Sequence, residues 1–418
     1  MMENPSTARL PSPGFDTGKL LAPRQALSAY FARVGIQRLE IERVALGDAL
    51  GRVLAQEIAA DADYPAGARS SMDGFALDSS QTPGRFECTG NVRMGSAEHA
   101  LVPHGAATRI PTGGFLPPGT NAVVPVEDAT IDGRHVEVPA VSAGDCVTPT
   151  GSDMQRGEVL LRPGRRIGGA EAALLATFGM IHVPVYRKPL FGVVSSGDEL
   201  VDASREPGVG QLRDSNRWAV AGTLSALGAS VRHFPIVRDD AGELRSALAA
   251  ALELCDGVVI TGGSSVGERD FTPSVVASLG EPGLIVHGLR VKPGKPTVLG
   301  AVGAKPVIGL PGNPASALLI LEGVAAPIVS ALVGAPTRPR TSAAVLVESY
   351  EKRAGWTWFV PVAVEEQGEP PRAVPLPMRS SSVSLTVRAA GYVILGEDVS
   401  LVRAGAEVTV TRFLSGGM

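Results

Sequence analysis

Cysteine, aromatic residues and clustered charge of one sign are all scarce in this sequence. Its three cysteines form no CxxC pair and cannot build a disulfide framework, which favours a reducing compartment. The net charge is -4, and no stretch gathers Lys and Arg at the density that nucleic-acid binding requires. No signal-peptide core and no run of about 18 apolar residues is evident. We therefore expect a soluble, cytoplasmic protein without a nucleic-acid or membrane partner.

The length and composition indicate several globular domains. A chain of 418 residues, 44% of them hydrophobic, exceeds a single core, so two to four domains are expected. Residues 1–19 are rich in Pro, Ser and Gly, which predicts a disordered tail. Apolar residues then recur at helical spacing after Pro23, which predicts an amphipathic helix. A second short helix is expected from Leu46 to Ala55.

Two parts of the chain are β-rich. From about Asp61 to Asp153, short β-prone runs separated by Pro and Gly predict a small β-rich domain. A strand at Val159–Arg162 and a helix at about Gly169–Phe178 follow it. After about Pro336, a compact barrel or sandwich of about 80 residues is expected. Its predicted strands are Ala343–Glu348, Trp358–Val364, Ser384–Ala389, Tyr392–Leu395 and Glu407–Phe413.

Between the β-rich parts, strands and helices alternate over residues 190–333. Continuous Val and Ile runs separated by amphipathic helices predict a doubly wound parallel sheet covered on both faces. The predicted strands are Leu190–Val194, Ser230–Val237, Gly257–Thr261, Leu284–Val291 and Pro306–Leu310. The predicted helices are Asn216–Leu227, Ala241–Leu254, Thr272–Leu279 and one that begins near Pro314.

Polar and glycine-rich segments lie at the ends of these strands, where open α/β sheets bind ligands. They are residues 195–199, 238–240, 261–270 and 292–296, with 310–314 close behind. The glycine loop 261–267 precedes a helix, whose N-terminus favours an anion by roughly 0.3–1 kcal/mol. Lys292 and Lys295 add two cations, each worth up to about 4 kcal/mol against a phosphate before desolvation. The segments together predict a pocket for a phosphorylated small molecule.

Acidic side chains accompany the predicted pocket. Asp198, Glu199, Asp239 and Asp270 would repel a phosphate unless a divalent cation lay between them, which points to Mg²⁺. Simpler roles stay open for the same residues. Aspartates that precede helices, Asp240 among them, can be N-caps worth about 1 kcal/mol each. The glycines and prolines can serve turns, and the lysines can be solvated.

Seven segments taken together resemble the molybdopterin molybdenumtransferase family, which includes bacterial MoeA and the E domain of gephyrin. Their order and spacing cover nearly the whole chain after the N-terminal tail. Two of them lie in the first β-rich part, and five lie in the α/β part. The segments are Ser71–Ala76, Arg109–Gly113, Ser196–Leu200, Arg238–Asp240, Gly262–Asp270, Lys292–Pro296 and Leu310–Pro314.

The resemblance implies a multidomain α/β plus β fold. Its parts would be a nucleotide-binding-like α/β domain, a β-rich lid domain, a linking domain made of two stretches, and a C-terminal β-barrel. The implied boundaries are 20–40 with 185–337, 61–156, 41–60 with 157–184, and 338–418. Such proteins form elongated homodimers, with the active site between the α/β domain of one subunit and the lid domain of the other. They insert molybdate into adenylylated molybdopterin and release AMP in a Mg²⁺-dependent step.

The resemblance also implies roles for individual residues. The implied catalytic residues are Asp73, Thr112, Asp153 and Glu199. The implied Mg²⁺ ligands are Asp239, Asp270 and Glu199. The implied substrate-binding residues are Ser196, Gly197, Asp198, Gly262, Gly263, Ser264, Ser265, Gly267, Lys292, Lys295, Pro311, Gly312, Asn313, Ser316 and Ser380. The enzyme that adenylylates molybdopterin is an expected upstream partner.

The sequence departs from the family pattern in two places. A basic run before Gly-Glu-Asp is replaced by residues 148–153, and a Gly-Arg-x-x-Phe-x-Arg pattern becomes Gly355–Pro361. Trp356 and Pro361 thus replace two arginines, and tryptophan supplies neither the charge nor the donors of a guanidinium. Two other functions stay open: a paralogue that binds or carries molybdopterin without inserting molybdate, and an unrelated nucleotide-dependent transferase. The segment around Asp73, outside the α/β part, disfavours the second.

Overall fold

The described part of the chain forms two compact units in a computed structural model. It comprises residues 19–96, 99–262, 271–335, 339–379 and 381–414. The first unit contains residues 1–55, 164–167 and 183–418, and the second contains residues 56–163 and 168–182. Some predictions fall outside the described residues. They concern the tail up to residue 18, the glycine-loop residues 263–270, and Ser380.

A six-stranded sheet lies in the first unit. Its strands are β1 (Leu190–Ser196), β2 (Ser230–His233), β3 (Gly257–Gly262), β4 (Pro282–His287), β5 (Val298–Val302) and β6 (Lys305–Leu310). The strands lie side by side in the order β2-β1-β3-β6-β5-β4. β1 pairs in parallel with β2 and β3, and β3 pairs in parallel with β6. The predicted parallel sheet is therefore confirmed for these four strands.

Two strands at one edge correct the prediction of a wholly parallel sheet. β5, which the sequence pattern did not indicate, pairs antiparallel with both β4 and β6. A tight turn at Gly303, with φ +58°, joins β5 to β6 as a hairpin. β4 ends at His287 rather than Val291, and Gly288 turns the chain with φ +84°. The next strand, Val291–Lys292, pairs with the C-terminal strand Thr357–Glu365 instead.

Helices cover both faces of the sheet, as continuous apolar strands require. Val193 on β1 packs into the core on one face, and Val194 packs into the core on the other. The helices of this unit are Pro23–Arg33, Asn216–Ala226, Ala241–Leu254, Thr272–Ser278, Pro314–Ile320, Ala326–Leu332 and Val383–Arg388. Asp240 caps one of them, because its carboxylate accepts the N–H groups of Gly242 and Glu243, each at 2.8 Å. The simpler N-cap role is thus confirmed for Asp240.

The segment Pro314–Leu332 is long and apolar enough to cross a membrane, but 83% of it is buried inside the protein. It is therefore a core helix, with a π-helical turn at Leu321–Ala325 between its two α-helical parts. The sequence showed no uninterrupted run of about 18 apolar residues. Ser316, Glu322 and Ser330 interrupt the apolar residues of this segment. All three polar residues are buried within the helix packing.

Five strands of the C-terminal region close into a barrel. They are Thr341–Leu346, Thr357–Glu365, Arg372–Pro375, Gly391–Leu395 and Glu407–Arg412. The predicted strand Ser384–Ala389 is wrong, because Val383–Arg388 forms a helix. Leu385 is buried, and the helix packs against Pro314–Ile320. This tertiary contact overrides the β-propensity of its valine and threonine residues.

Short elements complete the first unit. Strand Ile41–Ala45 pairs with His182–Tyr186. The expected helix at Leu46–Ala55 is largely wrong, since only Leu46–Ala49 is helical, as one 3₁₀ turn. The remaining short pairs are Leu200–Val201 with Leu212–Arg213, and Tyr350–Glu351 with Leu401–Val402.

The second unit contains the predicted β-rich domain. Its six-stranded sheet has the order Ala122–Pro125, Gly74–Leu77, Ala106–Ile110, Gly84–Asn91, His135–Val138 and Thr130–Asp132. The smaller pairs are Arg69–Ser70 with Val147–Thr148, and Ile58–Ala59 with Val159–Leu161. The predicted helix is present as Gly169–Thr177. The sequence pattern missed Gly74–Leu77, whose four residues are all buried.

Candidate functional site

Three turns meet at the carboxyl ends of β1, β3 and β6. The strand order reverses between β1 and β3, and open α/β sheets bind ligands at such a point. Gly262 ends β3 with φ +87°, and a Cβ there would lie 2.0 Å from the carbonyl oxygen of Ser196. A Cβ at Gly312 would lie 3.6 Å from the Cα of Gly262. These contacts place Ser196, Gly262 and Gly312 along one edge, which we call the glycine edge.

Acidic side chains surround the turn after β1. The Asp239 carboxylate accepts the hydroxyl of Ser196 at 3.2 Å, and the Asp198 carboxylate accepts the N–H of Asp239 at 3.3 Å. A Cβ at Gly197 would lie 2.6 Å from the Glu199 carboxylate, so the Glu199 side chain folds back over this glycine. Within the described ranges, no three acidic, His or Cys side chains converge as a ready metal site. Asp270 lies outside these ranges.

A cavity of about 440 Å³ opens beside this turn, and Asp198 and Arg238 are among its lining residues. Its wall contains the buried Arg217, which the sequence pattern did not single out. The Arg217 guanidinium lies 2.8 Å from the Asp214 carboxylate and donates to the carbonyl of Phe234. Burial of an arginine is tolerated only with such partners, so this wall is built around a paired charge.

Helix Asn216–Ala226 is also joined to the glycine edge. The Asn216 side-chain amide donates to the carbonyl oxygen of Gly312 at 2.7 Å. This bond fixes the turn between β6 and the helix that begins at Pro314. The turn after β6 is therefore attached to the helix that follows β1. This hydrogen bond connects β1 and β6, the first and last of the parallel strands in chain order.

A second cavity, of about 540 Å³, lies between residues 292–296, which we call the lysine segment, and the barrel. We call it the lysine cavity. Five predicted substrate residues line it, namely Lys292, Lys295, Pro311, Asn313 and Ser316. From the barrel side, Arg353, Trp356 and Trp358 also line it. The predicted single pocket also includes residues 263–270, which lie outside the described ranges, so it stays a prediction. Among the described predicted residues, Asp198 lines the first cavity, and Lys292 and Lys295 line the second.

The lysine cavity combines cations with aromatic walls. The Lys292 ammonium lies 4.1 Å from the ring centre of Trp358, within the range of a cation–π contact. Trp358 in turn packs partly against the barrel core. The described lining includes no carboxylate. A cavity with this lining favours an anionic ligand.

The lysine segment is held in shape by its own hydrogen bonds. The Leu289 N–H donates to the carbonyl of Lys295 at 2.8 Å, and the Thr297 hydroxyl donates to the carbonyl of Gly294 at 2.6 Å. Gly294 has φ +109°, and a Cβ there would lie 2.3 Å from Ile320. The segment thus packs its backbone directly on the core helix, which leaves both lysine side chains at the cavity.

The two positions at which the sequence departs from the family pattern differ in location. Trp356 lines the lysine cavity. Pro361 is buried within strand Thr357–Glu365, opposite Tyr392, and is absent from the described lining of both cavities. Only the change at Trp356 therefore bears directly on what the lysine cavity binds.

In the second unit, the predicted residues Asp73 and Thr112 are in direct contact. Gly74 pairs with Ile110 across antiparallel strands, so the residues just beyond this pair meet. The Asp73 carboxylate accepts the N–H of Thr112 at 2.6 Å and its hydroxyl at 3.0 Å. Both hydrogen bonds lower the pKa of the Asp73 carboxyl, and the bond from the backbone N–H has the larger effect. Asp73 is therefore an exposed, firmly ionised carboxylate.

Replacing Thr112 by valine is expected to raise the pKa of the Asp73 carboxyl. The variant loses the hydroxyl donor and keeps the backbone N–H, so the pKa should rise only part of the way to its ordinary value. A carbon-detected NMR titration of the carboxyl would measure this. Thr130→Val, at an exposed position on the same sheet, is the matched control and should leave the Asp73 titration unchanged. An unchanged pKa in Thr112→Val would contradict the assigned hydrogen bond.

Asp153 is placed apart from this pair. It lies in the turn after Gly151, where its N–H donates to the carbonyl of Tyr64 at 3.2 Å. Its side chain is exposed, and no hydrogen bond or ion pair joins it to Asp73 or Thr112 in the described chain. The predicted residues Gly263, Ser264, Ser265, Gly267, Asp270 and Ser380 lie outside the described ranges.

Three family models match the chain in succession. Residues 21–179 match the MoeA N-terminal region (domains I and II), and residues 192–331 match the probable molybdopterin-binding domain. Residues 343–413 match the MoeA C-terminal region (domain IV). The matched regions contain both described cavities and the Asp73–Thr112 pair.

Curated relatives and solved structures agree with these matches. Molybdopterin molybdenumtransferase of Bacillus subtilis is 32% identical over 385 residues, which cover 89% of each chain. The Haemophilus influenzae protein of the same name is 30% identical over 382 residues, covering 90% of this chain and 94% of its own. A solved structure of the MoeA protein from Pyrococcus horikoshii superposes with a TM-score of 0.84 at 26% identity, covering 94% of this chain and all of its own. The predicted multidomain fold, with an α/β domain and a C-terminal barrel, is confirmed.

Proposed function

The chain belongs to the molybdopterin molybdenumtransferase family, and we propose that it inserts molybdate into adenylylated molybdopterin with release of AMP. Membership of this family assigns it to molybdenum cofactor biosynthesis as a transferase. The observation that carries the proposed reaction is the pairing of two sites in one unit. A glycine edge suited to phosphate lies at the sheet, and a cationic cavity suited to an oxyanion lies beside the barrel.

The glycine edge and the cavity beside it are proposed to hold the adenylylated substrate. The glycines let the ends of β1 and β3 approach closely, since a Cβ at Gly262 would meet the Ser196 backbone. A glycine-rich strand end that leads into a helix can direct backbone N–H groups at a phosphate. Pro311 and Asn313 extend from this edge into the lysine cavity. A ligand with a nucleotide at one end and an anion-binding group at the other could reach both sites.

The lysine cavity is proposed to bind molybdate. Molybdate is a dianion, and a lysine at about 4 Å contributes up to about 4 kcal/mol at a surface-like dielectric before desolvation. Lys292 and Lys295 bring two such charges to the lining of the cavity. Ser316 adds a hydroxyl that can donate to an oxyanion. The proposed selectivity is therefore for a small, highly charged anion.

Mg²⁺ is proposed to accompany the substrate phosphates rather than to occupy a preformed site. Mg²⁺ usually binds through one or two carboxylates together with phosphate oxygens and water. Glu199 and Asp239, beside Ser196, fit that requirement even without a third described ligand. When bound there, Mg²⁺ would neutralise the charge of the pyrophosphate.

Asp73 and Thr112 are proposed to take part in the reaction, together with Glu199 and Asp153. The carboxylate of Asp73, whose pKa is lowered by the two hydrogen bonds from Thr112, is suited to electrostatic stabilisation rather than to accepting a proton. We also propose that the protein is a cytoplasmic homodimer and receives its substrate from the enzyme that adenylylates molybdopterin. Sedimentation of the full chain tests the dimer directly.

An anaerobic assay tests the proposed reaction. Wild type is expected to release AMP from adenylylated molybdopterin only when both molybdate and Mg²⁺ are present, and Asp73→Asn is expected to release much less. Tight substrate binding with no AMP above background would favour the alternative, a paralogue that binds or carries molybdopterin. Omission of molybdate or of Mg²⁺ gives the matched control for each component.

A further inference from the structure

Arg353 lines the lysine cavity, and the turn that carries it is held by several hydrogen bonds. The turn comprises residues 352–356, between strand Tyr350–Glu351 and the barrel strand that begins at Thr357. Both Arg353 and Trp356 line the cavity from this turn. Neither the strand-end pattern nor the family motif singled out Arg353, since it precedes the motif.

A buried lysine holds the turn from inside. Lys352 is only 5% exposed, and its ammonium donates to the carbonyl oxygens of Trp356 at 2.7 Å and of Arg353 at 3.4 Å. Burial lowers the pKa of this lysine, while Asp398 and Glu397 counteract that effect. The charge of Lys352 is therefore directed at the backbone of the turn, and the side chain of Arg353 is left on its outer side.

Backbone hydrogen bonds fix both ends of the same turn. The Lys352 N–H donates to the carbonyl of Ser400 at 2.8 Å, and the Gly355 N–H donates to the carbonyl of Glu397 at 2.8 Å. Gly355 has φ +78°, which only glycine adopts readily. These two hydrogen bonds attach the turn to residues 397–400. They fix the backbone that carries the side chains of Arg353 and Trp356.

The charge balance of the cavity points to the role of Arg353. The described lining contains three cationic side chains, Lys292, Lys295 and Arg353, and no carboxylate. The Arg353 guanidinium forms no hydrogen bond or ion pair with any residue of the described chain. Arg353 is exposed, so its guanidinium is solvated, unlike that of Arg217, which is buried and paired with Asp214. Arg353 instead offers its full set of donors to whatever occupies the cavity.

We propose that Arg353 binds the tetrahedral oxyanion in the lysine cavity, together with Lys292 and Lys295, and sets the affinity for it. This inference rests on the proposed function, because it concerns the molybdate of that reaction. A guanidinium presents paired donors that match two oxygens of an oxyanion, and an indole does not. The Arg353 side chain therefore supplies the planar set of hydrogen-bond donors that Trp356 lacks.

Equilibrium binding of sodium molybdate by calorimetry tests the proposal without requiring turnover. Arg353→Gln is expected to weaken the binding of molybdate about tenfold or more, and Arg353→Lys to weaken it less, because it keeps the charge and loses the paired donors. Arg403→Gln is the matched control, since it removes an exposed arginine of the same barrel region outside the cavity. It should bind molybdate as wild type does.

A parallel titration with adenylylated molybdopterin separates the two anions. We expect Arg353→Gln to leave this affinity within about twofold of wild type. A large loss here with unchanged molybdate binding would assign Arg353 to the substrate phosphate and overturn the proposal, as would equal molybdate affinities in the Arg353→Gln and Arg403→Gln variants. Failure of wild type to release AMP, with molybdate binding still weakened by Arg353→Gln, would count against the proposed function alone.

Discussion

Lys292→Met is expected to lower kcat/KM for molybdate by about 100-fold. Methionine keeps a long apolar side chain beside Trp358 but removes the ammonium that lies 4.1 Å from the centre of the Trp358 ring. The charge contributes up to about 4 kcal/mol to oxyanion binding before desolvation, and each 1.4 kcal/mol is a factor of ten. Steady-state AMP release over a range of molybdate concentrations, under anaerobic conditions, would measure the change.

Lys188→Met is the matched control for this variant. Lys188 is exposed and lies outside the lysine cavity, so its loss changes the net charge equally without touching the oxyanion. We expect its kcat/KM to stay within about twofold of wild type. An equal decrease in both variants would show that overall charge, and not the cavity, attracts molybdate, and would remove Lys292 from the site.

Gly262→Ala is expected to abolish measurable binding of adenylylated molybdopterin. The added Cβ would lie 2.0 Å from the carbonyl oxygen of Ser196, at a residue whose φ is +87°. The ends of β1 and β3 would have to move apart, because backbone atoms cannot yield as a flexible side chain can. Fluorescence or calorimetric titration of the folded variant with the substrate would measure the loss.

Gly303→Ala separates this effect from ordinary backbone strain. Gly303 also has a positive φ, +58°, but a Cβ there meets nothing within 4 Å. This variant should bear the same kind of conformational cost and still bind the substrate as wild type does. If Gly262→Ala retained wild-type affinity with an unchanged thermal transition, the close approach of β3 to β1 would not shape the binding site.

The sequence predicted the parallel centre of the α/β sheet because buried strands and their helices leave local patterns. β1, β3 and β6 are apolar runs followed directly by glycine or polar residues, so both their position and the glycine edge at their ends could be inferred. The contact between Asp73 and Thr112 was expected only through the family resemblance. No local pattern relates two residues on different strands, and their pairing depends on the register of the sheet.

The position of the lysine segment could not be inferred from the sequence. The apolar run before Lys292 predicted a single strand of the α/β sheet that ends at Val291. The chain instead turns at Gly288, and Val291–Lys292 pairs with a strand of the barrel. That pairing joins residues far apart in sequence, so nothing local signals it. For the same reason Arg353 was missed, since only the barrel contact brings it to the cavity. The proposed domain boundaries remain predictions.

The most direct test of the central claim is the amount of molybdenum incorporated for each AMP released. Wild-type protein, adenylylated molybdopterin, Mg²⁺ and molybdate would be mixed anaerobically, and dithiolene-bound molybdenum and AMP would be measured in the same sample. Insertion at the lysine cavity predicts equal amounts of the two products in wild type, with a parallel decrease of both in Lys292→Met. AMP release without incorporated molybdenum, or incorporation that does not depend on Lys292, would contradict it.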